Sequence, residues 1–176
     1  MVDFRDSWET SLQEKAPTIF HKWLQKKIEK KILKNADSII SVNEYLQNIF
    51  QKKYPQLKSS SVITNGYDEE DFIDLKPEEK SDYFTVVYLG TFNRINNPLP
   101  FFQTLSELAK EYLEFKTKTK FMHIGMSLDF DFQEIIKKYQ LENLIEFKGY
   151  LTHKESLKHL SQASVLLLIT TDSPGA

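Results

Sequence analysis

Residues 60–72 read SSVITNGYDEEDF. A β-branched apolar run ends in Asn65-Gly66, the commonest signal for a two-residue hairpin turn. A hairpin needs a second alternating strand directly after the turn. The chain instead continues YDEEDFIDLKPEEKSDYF, acidic and interrupted by Pro77. The strand at Ser61–Thr64 therefore does not fold back on itself, and its partners must come from elsewhere in the chain.

Two further strand candidates and two helical stretches lie upstream. Val2-Asp3-Phe4 looks like the end of a strand, which suggests a start inside a longer protein. From Trp8 to about Leu33 the apolar residues Ile19, Phe20, Trp23, Leu24, Ile28 and Ile32 recur at helical spacing, with Pro17 as a break. DSIISV (Asp37–Val42) reads as a short buried strand. Ser41-x-x-Glu44 has the form of a capping box opening a helix from Glu44 to about Lys53. The polar stretch Asp68–Asp82 reads as a linker.

A second regular series follows. FTVVYLG (Phe84–Gly90) predicts a strand, and a helix runs from about Leu99 to Leu113. KFMHIG (Lys120–Gly125) is a strand, and Asp131 caps a helix over Phe132–Tyr139. LIEFKG (Leu144–Gly149) is a strand, and Thr152-x-x-Glu155 caps a helix over His153–Gln162. SVLLLIT (Ser164–Thr170) is apolar enough to imply cover on both faces. Strands alternating with helices of this length predict a parallel sheet built by crossovers. The expected fold class is α/β, a Rossmann-like parallel sheet with helices on both faces, in two incomplete pieces: 1–67, a linker at 68–82, and 83–176.

Composition narrows the function classes. The 176 residues are 40% hydrophobic and 13% aromatic, with a formal net charge of -2. That balance gives no general attraction to nucleic acid. With no cysteine, disulfides, thiolate nucleophiles and thiolate metal sites are excluded. No apolar run is long enough to span a membrane, and the acidic N-terminus lacks the form of a signal peptide. A cytoplasmic location is expected. Lys22, Lys26, Lys27, Lys30, Lys31 and Lys34 against the single acid Glu29 leave peripheral contact with an anionic membrane as a further reading.

In an open parallel sheet, ligands bind beyond the carboxyl ends of the strands. Gly90, Gly125 and Gly149 all fall there, where glycine admits a ligand close to the backbone and helix N-termini offer N–H groups to an anion. Arg94, in GTFNRINNP, is a permanent forked cation in the same region. His123 lies within a strand and reads as a core residue. His153 and His159, six apart, do not share a helix face, and helix capping explains Asp129 and Asp131. No phosphate-loop, classical dinucleotide or nucleophile-elbow motif occurs.

Four stretches in order resemble the GT-B glycosyltransferases, in particular the large retaining family four. They are ADSIISVNEYLQNIF (Ala36–Phe50), SSVITNGYDEEDF, VVYLGTFNRINNPLPFFQTL (Val86–Leu105) and IEFKGYLTHKESLKHLSQASVLLLI (Ile145–Ile169). The resemblance implies transfer of a sugar from a nucleotide-sugar donor to a saccharide or lipid-linked acceptor, with retention of configuration and without a metal or other cofactor. It matches Gly90, Thr91, Phe92 and Arg94 to the loop facing the donor phosphates, and Gly149, Tyr150 and Leu151 to the loop around the nucleobase. It matches Asp6 and Arg5 to the catalytic position facing acceptor and transferred sugar. Asn65 and Gly66 become the hinge turn into the interdomain linker, with positive φ expected there and Phe72 anchoring the linker. The family's second phosphate-binding cation, a lysine, has no match before Pro98. Its paired-glutamate segment would follow Ala176, so the chain is expected to be an internal fragment, inactive alone and prone to self-association. A nucleotide-sugar 2-epimerase of the same fold and a non-catalytic α/β interaction module are the alternatives.

Overall fold

The computed structural model describes residues 1–6, 16–73, 75 and 81–170. The chain forms two compact units, Met1–Tyr67 and Asp68–Thr171, each with its own parallel sheet.

In the first unit, β1 (Val2–Phe4), β2 (Ile39–Ser41) and β3 (Ser60–Val62) lie side by side in that order, all parallel. The strand before Asn65-Gly66 thus pairs with β2 and belongs to no hairpin. Two helices make the crossovers, α1 (Ile19–Asn35) and α2 (Glu44–Lys53). Residues 7–15 of the predicted long helix lie outside the described residues. Thr18, one residue beyond Pro17, is the N-cap of α1 and accepts from the His21 N–H. The core gathers Phe4, Leu33, Ile39, Leu46, Phe50 and Tyr54.

Two local expectations change here. Ser41 is buried in β2 and caps nothing. The N-cap of α2 is Asn43, whose Oδ1 accepts from the Leu46 N–H at 2.8 Å. Asparagine caps as well as serine does, and the strand claims Ser41 first. On α1 the only buried residues are Leu33 and Glu29; Ile19, Phe20, Trp23, Leu24 and Ile28 are exposed. Glu29 is fully buried, and its Oε1 accepts from Lys53 Nζ at 2.8 Å and from the Tyr54 hydroxyl at 3.3 Å.

The second unit opens with the short helix α3 (Glu70–Ile73), inside the stretch read as a linker. Phe72 lies on α3 and is half exposed. Asp71, also on α3, pairs with His153 Nε2 at 2.8 Å. The sheet holds β4 (Phe84–Leu89), β5 (Thr119–Ile124), β6 (Ile145–Gly149) and β7 (Val165–Leu166), in the order β6-β5-β4-β7 and all parallel. Between β4 and β5 the single predicted helix is two, α4 (Leu99–Glu111) and α5 (Leu113–Lys118), because Tyr112 adopts extended geometry. The helices α6 (Phe132–Tyr139) and α7 (His153–Gln162) complete the unit.

The predicted caps of these last helices form. Asp131 accepts from the Gln133 and Glu134 N–H groups, and Thr152 with Glu155 makes the full reciprocal box. The Thr152 hydrogen bonds hold the Glu155 carboxyl below its usual pKa. At the other end of α6, Gln140 takes left-handed geometry, and the Leu141 N–H reaches back to Ile136 O. This is the double turn that ordinarily selects glycine.

Ring packing dominates the core, with Tyr88, Phe92, Phe102 and Phe121 buried together with Leu105, Ile135, Ile136, Leu141, Leu144 and Ile145. β7 departs from expectation: only two residues pair, and Val165, Leu166 and Leu168 are exposed. As the edge strand it has β4 as its one neighbour in the sheet.

Candidate functional site

The carboxyl edge of the second sheet gathers the three predicted glycines. The Gly90 N–H donates to Ile124 O at 2.9 Å, and the Gly125 N–H donates to Gly149 O at 2.8 Å. The chains leaving β4, β5 and β6 are therefore laced together where they turn. The approach is closest at Gly125: its φ is +134°, and a Cβ there would stand 2.2 Å from Gly90 O. Only a residue without a side chain fits that point.

His123 fixes the same carbonyl from below. Its ring is buried, and Nε2 lies 2.8 Å from Gly90 O. Burial lowers its pKa, so the ring is neutral and Nε2–H donates. The imidazole stacks on Phe92 at 4.3 Å and on Tyr88 at 5.7 Å. Nδ1 has no partner among the described residues. The sequence placed His123 in the core but did not reveal what it holds, because that depends on which strand end lies beside it.

The loop after β4 divides the predicted donor residues. Phe92 is fully buried and stacks on Tyr88 at 4.4 Å. Its N–H donates to Met126 O, and its carbonyl accepts from the Leu128 N–H. Phe92 therefore shapes the loop from inside and presents neither side chain nor amide to a ligand. Thr91 is half-buried, and its amide and hydroxyl have no partner among the described residues. Arg94 is exposed, its side chain 88% accessible, and its guanidinium lies 3.9 Å from Asp129. An ion pair so open to water holds the side chain weakly. The Arg94 N–H also donates to Asp129 Oδ2 at 2.9 Å, which ties this loop to the one after β5.

The helix N-termini at this edge are largely occupied by their own residues. At α4 the Leu99 N–H goes to Asn97 Oδ1, and Pro100 has no N–H. At α7 the Glu155 carboxylate sits in the first turn. The capacity for an anion at this edge therefore rests on the Thr91 amide and Arg94 more than on helix ends. After β6, Gly149 has φ +67° with nothing within 4 Å of where a Cβ would stand, Tyr150 is 83% exposed, and Leu151 is half-buried.

In the first unit, the predicted catalytic arginine and the predicted hinge asparagine come together. Arg5 Nη1 donates to Asn65 Oδ1 at 2.9 Å, and Arg5 Nη2 pairs with Asp3 at 2.8 Å. Asn65 thus acts through its side chain, across β2, and neither Asn65 nor Gly66 has the positive φ expected of a tight turn. Asp6 is exposed and has no partner among the described residues. The described residues hold no group of three or more His, Asp or Glu able to bind a metal ion. No described helix is long and apolar enough to cross a membrane.

No protein-family pattern matches the chain, and no curated protein is similar to it. Its fold, however, recurs in solved glycosyltransferase structures. S. aureus TarM, in a complex with UDP, superposes with a TM-score of 0.60 at 15% identity, over 81% of this chain and 27% of that one. Sucrose-phosphate synthase from Thermosynechococcus elongatus gives 0.58 at 15% identity, over 99% and 45%. The pneumococcal O-GlcNAc transferase GtfA, in complex with UDP and GlcNAc, gives 0.58 at 13% identity, over 81% and 27%. The fold is thus the Rossmann-like α/β arrangement of GT-B glycosyltransferases, and the chain spans 27% to 45% of the length of these structures.

Proposed function

We propose that the chain is part of a retaining, family-four type hexosyltransferase, which moves a sugar from a nucleoside-diphosphate donor to a saccharide or lipid-linked acceptor in polysaccharide synthesis. The observation that carries this reading is the laced carboxyl edge at Gly90, Gly125 and Gly149, with the Thr91 amide and the Arg94 guanidinium left available above it. UDP in the TarM and GtfA complexes supports the donor class.

In this reading the Thr91 N–H and Arg94 receive the diphosphate. Negative charge accumulates on that group as the glycosidic bond breaks, and a fixed cation stabilises it more in the transition state than in the ground state. Tyr150 and Leu151, after Gly149, flank the base. Asp6 faces the transferred sugar, and Arg5, restrained by Asp3 and Asn65, orients that segment. These groups supply the compensating charge without a metal. The assignment of transfer is to the whole protein. The 176-residue chain is expected to be inactive alone, since it spans under half of the enzymes whose fold it shares.

Calorimetric titration with UDP, GDP and ADP tests the donor site. One of them should bind, and Arg94→Ala should weaken that binding by about tenfold or more, the scale of one charge-assisted contact. Absence of binding by the whole protein would remove the reading. Product configuration, followed by NMR, tests retention.

A further inference from the structure

Helix α1 separates its chemistry along its axis. The first two turns carry Ile19, Phe20, Trp23 and Leu24, exposed to 90%, 62%, 51% and 37%. The following turns carry Lys26, Lys27, Lys30, Lys31 and Lys34, all exposed. The one acid, Glu29, points inward and is buried. At 3.6 residues per turn, Phe20, Trp23, Leu24, Lys27, Lys31 and Lys34 share an outward arc of roughly 100°, opposite Glu29.

The two aromatic rings lie 5.8 Å apart, and Lys27 Nζ stands 4.4 Å from the Trp23 ring centroid. Lys27, Lys30, Lys31 and Lys34 line a shallow groove with Leu24 and Ile28. Among the described residues no acid pairs with any of these four lysines.

We propose that this face docks the protein on an anionic phospholipid bilayer. The apolar end, Ile19–Leu24, extends about 9 Å along the axis, and a helix lying in the interface plane buries such side chains at the boundary between headgroups and acyl chains. Tryptophan favours the headgroup level, where its ring is apolar on its faces and its N–H is wet. The lysines then lie over lipid phosphates. A second copy fits this face poorly: antiparallel two-fold pairing sets the lysine end of one copy against the apolar end of the other, and parallel pairing sets lysines against lysines, with no exposed acid on α1 to meet them in either. Nucleic acid fits less well because α1 has no arginine and begins with exposed aliphatic and aromatic side chains. The inference does not depend on the nucleotide-sugar reading.

The test is sedimentation of the chain with vesicles of phosphatidylcholine alone, and of phosphatidylcholine mixed with phosphatidylglycerol. Binding is expected to the mixed vesicles only, weakening as salt is raised. The triple variant K30Q/K31Q/K34Q should lower the partition coefficient on the order of a hundredfold, at about fivefold per lysine. In a Trp8→Phe background, Trp23 emission should shift to the blue on binding, and F20S should reduce the bound fraction. Phe20, Lys30, Lys31 and Lys34 are exposed, and circular dichroism checks that each variant remains folded. The proposal is overturned by equal binding to both vesicles, by none to either, or by undiminished binding of the triple variant. It is also overturned by a dimer that F20S/W23S abolishes, or by RNA competing the chain off the mixed vesicles.

Discussion

Gly125 has no room for a side chain, and its φ of +134° adds backbone strain to the clash with Gly90 O. Gly125→Ala should therefore cost about 3 kcal/mol of stability in urea unfolding. Gly66→Ala, with nothing within 4 Å of its Cβ, should change stability by no more than about 0.5 kcal/mol. The same carbonyl links to pH through His123. Burial lowers the folded pKa below the unfolded value of 6.5, so the unfolded chain takes the proton first on acidification. Stability from this group is complete above pH 6.5 and is lost as pH falls toward the folded pKa. His123→Phe should flatten that part of the stability–pH curve, measured by urea midpoints between pH 7 and pH 5. Glycine at strand ends was legible from sequence as an edge open to a ligand. That one glycine is compelled by its neighbour's carbonyl was not, because the contact spans thirty-five residues and depends on strand order. The Arg5–Asn65 contact was hidden for the same reason. Their strands flank β2, and no local spacing rule says which strand ends adjoin.

Among the elements, the N-terminus of α2 separates two readings that sequence leaves equivalent. Asn43→Ala removes the hydrogen bond to the Leu46 N–H and should destabilise by about 1 kcal/mol. Ser41→Ala should be neutral or mildly stabilising, since its buried hydroxyl has no partner among the described residues and burying an unpaired hydroxyl is unfavourable. Thermal melts of the two variants distinguish them. The seven strands and the crossover helices were readable because periodicity is a local property, whereas the short α3 and the break at Tyr112 were not. β7 shows where that stops. VLLLI reports what a segment is able to bury, whereas its actual cover depends on which elements stand beside it, and the edge position leaves Leu166 and Leu168 exposed. Tyr112 likewise ends α4 early, where the apolar pattern continues unbroken into α5.

For the whole molecule, the unequal cores of the two units set the expected unfolding behaviour. Among the described residues the buried apolar cluster of the first unit has six members and that of the second has ten. A unit of this size buries only about 60% of the surface its unfolded chain exposes, so its margin is small. Both tryptophans of the sequence, Trp8 and Trp23, precede Tyr67. Tryptophan fluorescence therefore reports the first unit, while far-ultraviolet circular dichroism reports both. The fluorescence transition should occur at lower urea, and the two curves should not superimpose. Coincident curves would mean that the units unfold as one.

The Glu29 carboxylate depends on an ammonium that water, and therefore reagents, can reach: the Lys53 side chain is 32% exposed. Acetylating or carbamylating Lys53 would leave a buried anion facing a neutral amide or urea. Amine-directed dyes, crosslinkers and aged urea solutions would thus act on the first unit as slow denaturants, and thiol chemistry at an introduced cysteine is the safer route for labelling.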